Sequence, residues 1–408
     1  MDISTVRPWP VYSQAAADEL AGLATAGTVY DYAGAGPVDQ FEREFSALHG
    51  GRHAVSFNSG TSALFAALCA LGVRAGDEVI VPNLTFLASA SPALWLGAVP
   101  VLVDSCVAEP SVSPRSVRQA LTPRTKAVVV THLFGNPVDV SAVAAVCSEH
   151  RVALVEDCSH AHASDVAGAH VGTFGDAAIY SIGAGKVISG GHGGVMITAD
   201  EAVRDLALLI GHFKPRTRTD VRTEDLRRYA EFALGGNLRL SPMAAVLAMD
   251  HLCSLDAISR ARCHNVDVLD DHLAGLLEPV RSPEPRHNRT HFDVVYRLPE
   301  EVPTEARDAL VGRLQRAHVP VTPPATRPLN RVLRAIPPEP AVDNDLVRRL
   351  ASTAAAAPPD EALPHSTSAH DRMISFPARL LHHRDAEVAH ELGRRAHRVL
   401  AEVVGGRT

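Results

Sequence analysis

From about Ala54 to Thr198 short apolar runs alternate with stretches whose apolar positions recur every three to four residues. The runs have the pattern of buried strands and the intervening stretches that of amphipathic helices. In alternation they predict an α/β fold, a mostly parallel sheet flanked by helices. The longest uncharged stretch, 25 residues from Val79 to Val103, is divided by Pro82-Asn83, Gly97 and Pro100. It therefore reads as strand, helix and strand in a buried core rather than as a membrane span. An amphipathic helix follows from Ser241 to Leu255, with Pro242 in its first turn.

A second unit begins after that helix. Phe292 to Leu298 alternates as a strand, Thr304 caps a helix running to about Ala317, and Val319 to Val321 resumes extended structure. This βαβ-like remnant predicts a smaller α/β domain over residues 256–408, beside a large domain over 1–255 on which residues 1–35 pack. The Ala/Pro-rich stretch 350–371 reads as a mobile loop. Asp385 to Val403 reads as a helix with Val388, Leu392, Val399 and Leu400 inward.

Length and charge fit this picture. The 408 residues suffice for a large core and a second domain. The net charge of −7 argues against nucleic acid as an obligate partner. Only three of the 39 Lys and Arg residues are lysines, a bias expected of a GC-rich genome. The six cysteines are dispersed with no Cys-x-x-Cys pair, which fits reduced thiols in a cytoplasmic protein. Residues 1–30 lack the features of a signal peptide.

Candidate chemistry centres on Lys186. It stands in a glycine-rich turn, Ser181-Ile-Gly-Ala-Gly-Lys-Val-Ile-Ser-Gly-Gly-His-Gly-Gly194, between the apolar runs Ala177–Ile182 and Val195–Thr198. A partly desolvated amine loses its proton readily and can attack a carbonyl to form a Schiff base. A charge capping a turn is the alternative. Lys126 opens a strand and Lys214 lies in a polar loop.

Twenty-nine residues before Lys186, the apolar strand Val152–Val155 ends in Glu156-Asp157. Functional groups in α/β proteins gather at such carboxyl ends. An acid there suits pyridoxal phosphate (PLP), whose ring nitrogen needs an anion to stay protonated. Neighbouring strand residues point to opposite faces, so only one of the two can serve. Asp157 could equally be a helix N-cap.

A third feature is Ala54-Val-Ser-Phe-Asn-Ser-Gly-Thr-Ser-Ala-Leu64: a strand, a hydroxyl-rich turn, then a helix with Leu64, Leu68 and Leu71 on one face. Free amides, hydroxyls and the positive helix end suit a phosphate.

Together these blocks resemble the DegT/StrS-type aminotransferases, the nucleotide-sugar and aminocyclitol branch of the fold-type I PLP enzymes. The resemblance runs from about Trp9 to about Leu252. Its carriers include Asn58–Leu64, Gly76–Pro82, Gly97–Asp104, His132–Gly135, Glu156–Ala161, Gly172–Asp176, the Lys186 stretch and Leu234–Arg239. It implies a large domain with a seven-stranded-type, mostly parallel sheet plus the smaller C-terminal α/β domain.

The resemblance also implies roles. Lys186 becomes the Schiff-base and proton-transferring lysine and Asp157 the partner of the pyridinium nitrogen. Phe86 stacks on the cofactor ring and His160 reaches its 3-hydroxyl. Gly60, Thr61 and Ser181 hold the phosphate, joined by Asn237 from the partner subunit of a homodimer. The implied reaction moves an amino group from glutamate or glutamine to a keto-sugar or cyclic ketone, in secondary metabolism. Retention of Lys186 argues against the sibling sugar dehydratases, and the full cofactor set argues against a non-catalytic regulator or scaffold. The chain departs from the family pattern at Tyr180-Ser181-Ile182, where Phe-Ser-Phe is usual, and at His192, where an acid is usual. Its C-terminal third matches poorly.

Two clusters need weighing. His160, His162, His170 and His192 lie close in sequence, but no ligand spacing is completed, and no metal is expected. Arg286, His287, Arg289, His291, Arg327, Arg331, His365, His370 and Arg372 are either a solvated basic surface or a pocket for an anionic acceptor.

Overall fold

The computed structural model describes residues 3–106, 111–282, 287–340 and 342–404. The first strands are β1 (His53–Phe57), β2 (Glu78–Pro82), β3 (Val99–Val103), β4 (Thr125–Thr131) and β5 (Ala153–Asp157). They are followed by the hairpin β6 (Asp165–Val166) and β7 (Ala169–His170), then β8 (Ala177–Ser181) and β9 (Gly194–Thr198). Seven of these form one sheet in the order β1-β9-β8-β5-β4-β2-β3. Only β9 runs antiparallel to its neighbours, β1 and β8. The remaining pairings, β8 on β5, β5 on β4, β4 on β2 and β2 on β3, are parallel.

Alternation along the strands divides the core in two. Ile80, Val128, Val130, Leu154 and Tyr180 face the helices Gly36–Leu48, Val140–His150 and Pro242–Cys253. Val79, Val81, Val129, Val155 and Ile179 face the helices Gly60–Ala70 and Glu201–Gly211. Leu64 and Leu68 are fully buried there, each stabilising the packing by about 1.5–3 kcal/mol. The same parity sends Glu156 to the Leu154 side of β5 and Asp157 to the Val155 side. The uncharged stretch resolves into β2, two short helical turns and β3. Among the described residues no helix is long and apolar enough to cross a membrane.

Beyond the helix Leu255–Leu273 come β10 (Glu278–Pro279), β11 (His287–Asn288), β12 (Val294–Arg297) and β13 (Met373–Phe376). The order β10-β12-β13 makes a small sheet. Its core, with Tyr296, Leu314, Phe376 and Leu392, is shared with the helices Ala306–Arg316 and Glu387–Val404. Ile3 joins this core, whereas Ser13, at the start of the helix Gln14–Ala26, bonds to Asp250 of the first unit.

Two expectations are corrected here. The sheet partner of β12 is β13, antiparallel, not Val319–Val321. That segment contributes only a bridge, Thr322 to Ser375. The stretch 350–371 is mostly helix: Asp345–Ala355 enters it, capped by Asn344, and Pro364–Arg372 follows. Alanine is the strongest helix former, and the prolines at 358, 359 and 364 only punctuate the run.

Candidate active site

The carboxyl ends of the parallel strands open into a cavity of about 360 Å³. Lys186, Asp157 and His160 line it, together with Gly60 and Thr61 at the start of a helix. Its outer wall comes from the second unit, through Phe292-Asp293 and Ala325-Thr326.

The Lys186 turn is tied down by its backbone. Ile182 N–H donates to Gly193 O, Ala184 N–H to Gly191 O and Gly190 N–H to Ile182 O. The Trp9 indole donates to Lys186 O at 2.7 Å, bringing the N-terminal segment onto the turn. Gly185 has φ +86, a left-handed conformation that glycine adopts without strain. Lys186 Nζ lies 4.2 Å from the centroid of the Phe292 ring. Burial pushes its ammonium down to about 8, partly opposed by the negative charge of Asp157.

Asp157 ends β5 and is 6% exposed. Its Oδ2 accepts from Ser89 Oγ at 2.6 Å and its Oδ1 from Ser159 N–H at 3.1 Å. Ser89 is linked in turn to Thr85, and Thr85 to Thr131, each at 2.9 Å. Glu156, one residue earlier, lies on the other face. Its oxygens accept from the amides of Gly172, Phe174 and Gly175 at 2.7–2.8 Å and contact His132 Nε2 at 3.2 Å. Burial alone would raise the Glu156 carboxyl, but His132 and these amides hold it below the usual range. Glu156 therefore ties a loop to the sheet, and only Asp157 reaches the cavity.

His160 stacks on Phe292, with centroids 3.8 Å apart and planes 12° from parallel. Its Nδ1 accepts from Phe134 N–H at 3.4 Å. Phe134 holds that amide with φ 59, unusual for a bulky residue and typical of backbone at a functional site. Burial and the nearby Lys186 keep the His160 ring neutral, its pKa well below the ordinary value. With Nδ1 accepting, the proton sits on Nε2.

At the opposite end of the cavity, Ser59 caps the helix Gly60–Ala70, accepting from Ser62 N–H at 3.0 Å. Gly60 and Ser181 touch: a Cβ on Gly60 would lie 3.0 Å from Ser181 Cβ. Uncapped amides at Gly60 and Thr61 and the hydroxyls of Thr61 and Ser181 form an anion-binding end.

This lining fits PLP chemically. A readily deprotonated amine, a carboxylate for a ring nitrogen and a helix N-terminus for a phosphate border one space. On a seven-stranded, mostly parallel sheet, that combination defines a fold-type I PLP-dependent transferase. The chain belongs to the DegT/DnrJ/EryC1/StrS aminotransferase family, whose model matches residues 18–380. The match continues well past Leu252, so the C-terminal region belongs to the family pattern as well. L-glutamine:2-deoxy-scyllo-inosose aminotransferase of Streptomyces kanamyceticus is 34% identical over 351 residues, covering 79% of this chain and 78% of that protein. The 3-amino-5-hydroxybenzoate synthase of Amycolatopsis mediterranei is 34% identical over 316 residues, covering 76% and 79%. A crystal structure of 3-amino-5-hydroxybenzoic acid synthase superposes with a TM-score of 0.81 at 29% identity, over 97% of this chain and 99% of that one.

Other sequence-derived candidates fall differently. Phe86 borders the cavity but is 63% exposed. Asn237 is exposed, outside the cavity lining of its own chain, and accepts from Arg239 Nε at 3.1 Å. His192 is exposed, while Tyr180 points to the opposite face of the sheet and donates to Val171 O. Among the described residues, one group meets metal-ligand distances: His132, Glu156 and Cys158. Its Glu156 oxygens already serve three amides and His132 Nδ1 accepts from Val138 N–H.

Among the described residues, none of the C-terminal arginines lines the cavity. Arg331 pairs with Asp360 and Asp371, and Arg372 donates to the carbonyls of Leu298, Pro299 and Val302. Arg327 is exposed. Arg286 and the His287 side chain lie outside the described residues. Phe292, Asp293 and Thr326 were missed as cavity residues, because nothing local to residues 292–326 signals which strand end they cover.

Proposed function

We propose that this chain transfers the amino group of glutamine to a cyclic ketone in the biosynthesis of an aminocyclitol-type or related antibiotic. The observation that carries this reading is the cavity itself. Lys186 and Asp157 face one space, bordered by the Gly60-Thr61 helix start and by Phe292-Asp293 of the second unit. The names of the relatives support it: that of the S. kanamyceticus protein specifies glutamine and a deoxy-inosose, and that of the A. mediterranei protein an amino-substituted ring.

When bound, PLP supplies the electron sink and the carrier for the amino group. Lys186 Nζ would hold the cofactor covalently and would serve as the general base for the α-proton of the donor amino acid. Asp157 Oδ2, fixed by Ser89, keeps the pyridinium proton in place. His160 Nε2–H would donate to the cofactor's 3-hydroxyl oxygen, and Phe86 would cover its ring. Gly60, Thr61 and Ser181 would bind the phosphate, with the partner subunit's Asn237 completing the contact in a homodimer. Residues 1–255 form the large cofactor-binding domain and 256–408 the small one, which supplies the Phe292 wall and limits water. The enzyme works in the cytoplasm.

The test is spectral. The cofactor-loaded protein should lose its visible band on addition of glutamine and regain it with a polyhydroxylated cyclic ketone. Recovery with nucleotide-linked keto-sugars alone would contradict the reading.

A further inference from the structure

Among the described residues, the titratable lining of the cavity is Lys186, Asp157, His160 and Asp293. The proposed reaction uses the first three and leaves Asp293 without a role. Asp293 enters with the second unit, next to Phe292, whose ring lies against Lys186 Nζ, and near Ala325 and Thr326. Its carboxyl is held by the Ser375 hydroxyl and the Val294 amide, and burial pushes it up to about 6. It is therefore mostly ionised at neutral pH, and an ionised carboxylate only accepts hydrogen bonds.

The wall opposite the cofactor end thus offers a hydrogen-bond acceptor and a negative charge, with no arginine among its described residues. Glutamine and glutamate have nearly the same size and shape. They differ in that the carboxamide carries two N–H donors, whereas the side-chain carboxylate carries none and repels a second carboxylate.

We propose that Asp293 is a specificity-determining residue: it accepts a hydrogen bond from the side-chain carboxamide of the amino donor and rejects a donor bearing a carboxylate there. The inference rests on the amino-transfer reading above. In the second half-reaction the same oxygens can accept from a hydroxyl of the cyclic ketone.

The test compares glutamine and glutamate as donors on the cofactor-loaded wild type, Asp293→Asn and Asp293→Ala, following loss of the visible band in single turnovers. Wild type should prefer glutamine by about a hundredfold in kcat/KM. Isosteric Asp293→Asn should reduce that preference to about fivefold or less, mainly through faster reaction with glutamate, because asparagine can donate to a carboxylate. Cofactor content and thermal midpoint should stay at the wild-type level, which a merely structural role would not leave untouched. If the alanine variant fails to fold, the asparagine variant decides. A well-folded Asp293→Asn with the wild-type preference overturns the assignment alone. A wild type that responds to neither donor overturns the amino-transfer reading, and this inference with it.

Discussion

The Lys186 ammonium sits 4.2 Å over the ring of Phe292, so the two units of the chain meet at this amine. Burial against that wall is what brings the amine down to about 8. Only the neutral amine attacks a carbonyl. Capture of PLP by cofactor-free protein should therefore speed up as pH rises through about 8, slowing about tenfold for each unit below it. Growth of the visible band after mixing measures this. A rate unchanged from pH 7 to pH 9 would mean that the amine is not the titrating group.

Asp157 and Glu156 should respond to neutralisation in opposite ways. Asp157→Asn removes the charge facing the cavity and should lower kcat by about a thousandfold with the fold intact. Glu156→Gln replaces an acceptor used by three amides and His132. It should cost about 1–3 kcal/mol of stability while leaving turnover per folded molecule within a fewfold of wild type. Steady-state kinetics beside thermal melts separates the two, and the reverse pattern would exchange their roles.

Much of this site was legible before folding. The Lys186 turn, the Glu156-Asp157 pair and the Ser59–Thr61 turn each combine a strand end with an unusual residue choice, and strand ends are local features. Parity along β5 even limited the carboxylate to one of two. The wall was not legible. Phe292 and Asp293 reach the cavity only because β12 pairs with β13, across a long intervening segment. The 350–371 stretch shows a composition argument yielding to helix propensity. The arginines misled in another way, since Arg331 and Arg372 are satisfied within the second unit.

Acid should destabilise the fold well above carboxylate pH. His49 and His162 are buried, and burial lowers them to about 4 and about 3. His160, His212 and His291 are lowered too, each chiefly by burial. The unfolded chain takes up these protons near pH 6.5, so the stability is fully present above that pH and falls as pH drops toward the folded values. His49 alone contributes on the order of 3 kcal/mol that is lost by pH 4. The thermal midpoint should fall steadily from pH 7 to pH 5. A flat profile would show that these rings are solvated.

If Asn237 completes the phosphate site across a two-fold axis, each active site needs two chains. Mixing Lys186→Ala with Asn237→Ala protein should restore activity to about a quarter of wild type, through hybrid dimers with one intact site. Light scattering that finds an active monomer would refute the shared site.

The central claim is that Lys186 is the cofactor lysine. Borohydride treatment of the purified, yellow protein should abolish the visible band and fix the cofactor covalently, and peptide mapping should place it on Lys186 and nowhere else. Lys186→Ala should still bind PLP non-covalently but show no turnover. A reduced adduct on Lys126 or Lys214 would contradict the account.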